Sequence, residues 1–179
     1  MRVFGSTFCV VAFAFAWLFP APAMTAEASL PVNLVVNGSF ETKSEGNNGL
    51  AEGWSGFSDV EVHLVKDGKD GTFAQKIACK EQSGIFQRIT VKKNTTYVIS
   101  AYVKTDGTQA DVRVYQWDIN DPWSVSDEKI IGSTTSQDWV LLKTEYTTAA
   151  EQEGIFLKLM HQPSRPGEAF FDKVEITKK

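Results

Sequence analysis

The sequence predicts an all-β protein, a jelly-roll β-sandwich of about nine antiparallel strands in two sheets. Three observations lead there. Segments rich in Val, Ile, Thr, Tyr and Phe recur along the chain, separated by Gly, Asn and Asp clusters. No segment carries a convincing helical period, and there is no internal repeat, heptad or low-complexity block. Two distant stretches, Asn33–Glu41 and Ala169–Ile176, share one combination of apolar residues, large aromatics and a carboxylate. They read as the first and last strands of one domain, which brings Glu41 close to Asp172.

Before this domain, residues 1–28 read as a signal peptide. Arg2 supplies the positive start, Phe8 to Phe19 is apolar, and Ala21-Pro22-Ala23 or Ala26-Glu27-Ala28 offers a small-residue cleavage site. The apolar run is shorter than the roughly 20 residues needed to cross a bilayer. No second run exists, so no membrane span is expected after cleavage and the protein is expected to be secreted or periplasmic. Residues 29–179 then form one domain, near the commonest domain size. The leader holds one base and one acid, so the net charge of −4 survives its removal. Lys and Arg are scattered among acids, which argues against nucleic acid and membrane surfaces as partners. Cys79 is the one cysteine beyond the leader, so no intrachain disulfide is expected. It reads as a small buried hydrophobe.

Within the domain the elements follow in order. Thr42 to Gly53 is a polar loop that Trp54 ends. Val60–Val65 alternates, with Val60, Val62 and Leu64 inward and Glu61 and His63 outward. Asp67–Gly71 turns into Phe73–Cys79, and Ile85–Val91 is the next strand. Thr95–Thr105 is the longest candidate, closed by Asp106-Gly107 as a hairpin signal. Ala110–Trp117 follows, then a polar excursion from Asp118 to Asp138. Trp139–Thr148, Gly154–His161 and Ala169–Ile176 complete the set. Pro122, Pro163 and Pro166 fall in loops, where a missing amide donor costs nothing.

Several short motifs, in order, resemble carbohydrate-binding modules of families four, nine and twenty-two. These are Asn33–Glu41, Gly53-Trp54, Asn94–Lys104, Trp139 with Leu142, Thr144 and Tyr146, and Phe171–Ile176. The resemblance covers nearly the whole domain. It implies a galactose-binding-like jelly roll without catalysis, often holding a structural calcium, with a glycan in a cleft across the concave sheet. It also implies that Trp54 and Trp139 pack in the core. Such modules usually accompany an enzyme, and this domain has no room for one.

Glu41 and Asp172 are the candidate calcium ligands, since Ca²⁺ takes six to eight oxygens from carboxylates and loop carbonyls. Carbonyls of the first loop and the Asp67–Gly71 turn would complete the shell. Pinning segments about 130 residues apart offsets a large closure entropy. The plainer alternative pairs Glu41 with a lysine and leaves Asp172 to cap a turn.

For the ligand, alternation in Ala110–Trp117 puts Val112 and Val114 on one face and Arg113, Tyr115 and Trp117 on the other. The opposite phase would bury Arg113 unpaired, which is costly, so the second face reads as outward. A cation among rings suits a sugar: pyranose C–H faces stack on aromatic planes and the charged group bonds hydroxyls. Trp123, in Asn120–Ser124, reads as either a lid over the ligand or a plug on the core edge. Gln87, Tyr102, Lys158 and His161 lie on strands able to reach this face, their phase left open.

The expected function is non-catalytic binding of a polysaccharide or oligosaccharide. The alternative is a structural or adhesive module whose partner is a cell-surface protein. Catalysis gains little: two histidines stand about 100 residues apart, with no metal-ligand spacing, phosphate loop or nucleophile elbow. Some polysaccharide lyases are jelly rolls, and for one of those Tyr115, Arg113, Gln116 and His161 would be the suspects. Gln116 is out of phase with Tyr115.

Overall fold

A computed structural model describes residues 31–46, 49–57, 60–162 and 164–179. The expected signal peptide lies outside the described residues. Ten strands form among the described residues: β1 (Ser55–Gly56), β2 (Glu61–Val65), β3 (Ala74–Cys79), β4 (Ser83–Thr90) and β5 (Thr96–Thr105), then β6 (Gln109–Trp117), β7 (Val125–Thr134), β8 (Val140–Thr147), β9 (Gly154–Gln162) and β10 (Gly167–Lys178). They make two five-stranded antiparallel sheets, ordered β1-β4-β9-β6-β7 and β2-β3-β10-β5-β8. The architecture is a jelly-roll β-sandwich.

Alternation builds the core. Ile85 and Ile89 of β4, Ile155, Leu157 and Leu159 of β9, and Val112 and Val114 of β6 point inward from one sheet. Ile77, Ile99, Val103, Phe171 and Ile176 meet them from the other. Fully burying each such side chain contributes about 1.5–3 kcal/mol.

Four expectations about the elements need correction. Asn33–Glu41 is not a strand: Asn33 makes one bridge with Thr177, and the chain then turns through Asn37 and Phe40, both at positive φ. The Asn37 side-chain amide donates to the carbonyls of Thr42 and Glu52, which holds the loop. Asp106-Gly107 does not close a hairpin, because β5 pairs with β8 and β10 while β6 pairs with β7 and β9. The segment instead carries the chain between sheets. The polar excursion hides strand β7, an edge strand whose residues 125–130 are all exposed and whose ladder to β6 is broken by two register shifts. Neither face of such a strand shows an apolar alternation. The longest strand is β10, at 12 residues.

Side-chain placements differ at two positions. Trp54 is buried in the core beside Phe40, centroids 5.3 Å apart. Trp139 is only half-buried, with the Lys104 ammonium 5.0 Å from its ring centroid. Cys79 is likewise only partly buried, and its Sγ contacts His161 Nδ1 at 3.1 Å.

Candidate functional site

Strands β4, β9 and β6 lie side by side, and their inward positions are spent on the core. The remaining parity puts Phe86 and Arg88, Phe156 and Lys158, and Arg113 and Tyr115 on the opposite face. Register sets them in rows. Tyr115 lies across from Phe156 and Phe156 across from Arg88; Arg113 lies across from Lys158 and Lys158 across from Phe86. Trp117 continues the β6 face, across from Gly154, whose missing side chain leaves room for the indole.

Rings and cations alternate over this face. Phe86 and Phe156 stack with centroids 4.7 Å apart and planes 20° from parallel. The Arg88 guanidinium stands 5.2 Å from each of those rings and 4.9 Å from Trp123. Lys158 Nζ lies 4.1 Å from the Tyr115 centroid, 5.1 Å from Phe156 and 5.4 Å from Phe57. Burial is the main cause that pulls the Lys158 ammonium below its ordinary pKa. The same cause, desolvation, raises Tyr115.

Arg113 is fixed by two carboxylates. Its Nε and Nη2 donate to Asp111 Oδ2 at 3.1 and 2.5 Å, and Nη1 donates to Glu128 Oε1 at 2.5 Å. Asp111 is fully buried and also accepts from the side chains of Gln109 and Gln162. Fork geometry of this kind fixes the plane of the guanidinium.

The 118–124 loop closes one end of the face. Asp118 Oδ1 accepts from Asn120 N, Asp121 Oδ1 from Trp123 N, and Asp121 O from Trp117 Nε1. Arg88 Nε donates to Pro122 O at 3.0 Å. The backbone is therefore tied to the sheet while the Trp123 side chain projects: the residue is 74% exposed. It lies over Arg88 and not in the core. At the other end a cavity of about 680 Å³ is lined by Phe57, Glu61, Cys79, Ser83 and Met160.

Of the residues whose phase was open, Lys158 joins the face. Gln87 is buried inward, bonding Val36 and Gly53. Tyr102 lies on β5 in the other sheet. His161 is fully buried within a hydrogen-bonded chain that includes Cys79 and Thr108. The Tyr, Arg, Gln and His needed for a lyase are thus not brought together. Sequence reasoning missed Phe57, Phe86, Arg88 and Phe156. The period-two alternation of Ile85–Val91 and Gly154–His161 carried that signal, since Arg88 and Lys158 share parity with the phenylalanines.

The carboxylates at the chain ends meet at one turn. Glu41 Oε1 accepts from Thr72 N and Phe73 N at 2.9 and 2.8 Å. Asp172 Oδ2 accepts from Lys69 N and Asp70 N at 2.5 and 2.7 Å, and its Oδ1 accepts from Lys173 N at 2.6 Å. Phe40 and Lys173, beside the two acids, both adopt positive φ, a conformation non-glycine residues rarely take. Asp172 is fully buried, and desolvation raises its pKa against the lowering effect of the three amides. Among the described residues no cationic side chain forms an ion pair with Glu41 or Asp172, and no group of three or more His, Cys, Asp or Glu is placed to hold a metal. Glu41 Oε2 accepts no hydrogen bond from a described residue. The buried Asp172 carboxylate thus meets amide donors and no cationic side chain among the described residues.

A sandwich with no helix among the described residues, and with one sheet face given over to rings and fixed cations, is the architecture of a carbohydrate-binding module. The chain belongs to the carbohydrate binding domain family of types 4 and 9, whose model matches residues 32–164. Among solved structures it is similar to "Family 16 Carbohydrate Binding Module-2", at 26% identity and TM-score 0.61 over 81% of this chain and 99% of that one. It shares its fold with the CBM22-1 xylan-binding domain of Paenibacillus barcinonensis Xyn10C, at 22% identity and TM-score 0.56 over 73% and 88%. It shares it also with TmCBM61 in complex with beta-1,4-galactotriose, at 15% identity and TM-score 0.57 over 83% and 99%. No curated protein matches significantly.

Proposed function

We propose that this protein is an exported module that binds a polysaccharide or oligosaccharide without converting it. The observation that carries this is the outer face of β4, β9 and β6, where rings and fixed cations occupy positions that a purely structural sheet would give to small polar residues. Tyr115, Trp117 and Trp123 receive pyranose faces, and burying rings costs little rotamer entropy. Arg113 uses three of its five donors on Asp111 and Glu128. Its remaining donors reach sugar hydroxyls from a fixed position.

Calcium is part of the proposal. Glu41 and Asp172 would hold it, and it would supply the positive charge that the buried Asp172 carboxylate lacks. Because such an ion binds only the folded chain, it must raise the melting midpoint. An unchanged midpoint between calcium and chelator would remove it.

Titration calorimetry and affinity gels against a glycan panel test the binding. Y115A and W117A are each expected to weaken it at least several-fold. Binding by both variants as tight as the parent's would show that this is the wrong face.

A further inference from the structure

The three cations of the face differ in how they are satisfied. Arg113 takes up both Asp111 and Glu128. Lys158, across from it, forms no hydrogen bond or ion pair with a described residue; Glu128 acts on it only at longer range. Its ammonium instead sits among the rings of Tyr115, Phe156 and Phe57. Arg88 is in the same position. Nε donates to a carbonyl, three rings crowd the guanidinium, and Nη2 is buried without a partner among the described residues.

An ammonium and a guanidinium drawn out of water without a carboxylate carry a desolvation cost that rings offset only in part. A neutral sugar would leave that cost standing, and amide side chains would bond its hydroxyls as well. A ligand that brings its own negative charge cancels the cost and gains charge-assisted hydrogen bonds. Arg88 lies across from Phe156, and Lys158 is two residues further along β9. Diagonal neighbours of this kind stand about 7–8 Å apart at the backbone, within reach of one substituent or of adjacent sugars. The chain as a whole is acidic, at −4, so attraction would be local to this face.

We propose that the ligand of this face is an anionic glycan, its oxyanion (a uronate carboxylate or a sulfate ester) received by Lys158 and Arg88 while the rings receive the sugar planes. This deepens the carbohydrate-binding reading and rests on it. The test compares alginate, polygalacturonate and glucuronoxylan with their carboxyl-reduced counterparts, and dextran sulfate with dextran, by calorimetry at two salt concentrations. The acidic polymers should bind about tenfold or more tightly, the effect of one charge-assisted hydrogen bond. That preference should shrink with added salt. In K158Q and R88Q the acidic-to-neutral ratio should fall towards one, and in K158R, which keeps the charge, it should persist. Melting midpoints confirm that the variants fold. A preference for uronates alone assigns the carboxylate, and a preference for both kinds assigns the shared oxyanion. Equal binding of acidic and neutral polymers overturns the proposal and leaves the carbohydrate reading in place. Binding of no polymer overturns both.

Discussion

Replacing Trp123 by alanine separates binding from folding more cleanly than any other change on this face. The residue is 74% exposed, so truncation removes little buried apolar area. Its one well-placed contact is the Arg88 guanidinium, 4.9 Å from the ring, worth about 0.5–1 kcal/mol at an exposed site. The loop backbone is held by bonds that do not use the indole: Trp123 N to Asp121 Oδ1, Trp117 Nε1 to Asp121 O, and Arg88 Nε to Pro122 O. Stability should therefore fall by no more than about 1 kcal/mol. Binding should respond more strongly. An aromatic plane that closes on a sugar is covered only in the complex, and losing such an anchor costs about 1–2 kcal/mol, or 5–30-fold in Kd. Calorimetry of W123A beside the parent, with a denaturant titration of each, reads both quantities. Unchanged affinity with unchanged stability would refute the lid. A loss of several kcal/mol of stability would refute the reading of the indole as peripheral to the fold.

The turn that gathers the chain ends is a second place to press. Gly71 has φ of +81°, and a Cβ there would stand 2.6 Å from Glu41 Oε1; G71A should cost about 1–3 kcal/mol by denaturant titration, and a change near zero would mean that the Glu41 contact is not needed. Asp111, fully buried under Arg113, should be less forgiving, since breaking a buried pair costs about 3–5 kcal/mol; D111A with parental stability would argue that Glu128 suffices. The third concerns pH. Burial lowers the pKa of His161, against the raising effect of Asp106 and Glu168, so between its folded pKa and the ordinary 6.5 the unfolded chain binds the extra proton. Stability from this residue is then complete above that window and lost as pH falls through it, by at most about 1.4 kcal/mol per pH unit. H161Q should flatten the acid side of the stability profile, and an identical slope in parent and variant would rule the histidine out.

Legibility from sequence followed period-two alternation closely. Val112 and Val114 inward against Arg113 and Tyr115 outward follows from one side chain, because a charged head turned into an apolar core is costly. The two-sheet sandwich followed from the number of strands and their turn residues. β7 was hidden because an edge strand broken by bulges, with a solvated outer run, has no apolar period to detect. The Asn33–Glu41 stretch misled for a different reason. Leu34, Val35 and Val36 have strand propensity, yet Val36 is 58% exposed, and Asn37 satisfies backbone groups that a neighbouring strand would otherwise pair. The sequence pairs Glu41 with Asp172 around an ion and turn carbonyls, whereas the five amides that hold the two acids depend on a turn conformation that no residue pattern announces.

The phenylalanines of the face do a different task from its other rings. Phe86 and Phe156 are outward by parity but only 6% and 4% exposed. Arg88, Lys158 and the Trp123 loop cover them. A sugar cannot reach those two planes without displacing the cations, so the phenylalanine pair is a floor that holds charge and not a platform that holds sugar. Tyr115, Trp117 and Trp123, with Phe57 at the other end of the face, retain solvent access. This division explains why a surface built on a hydrophobic floor carries so much charge: flexible lysine and arginine stems gain definition by lying along rings, and their heads are held against those rings, partly withdrawn from water. A ligand would find its donors in place before it arrives, which lowers the ordering cost of binding.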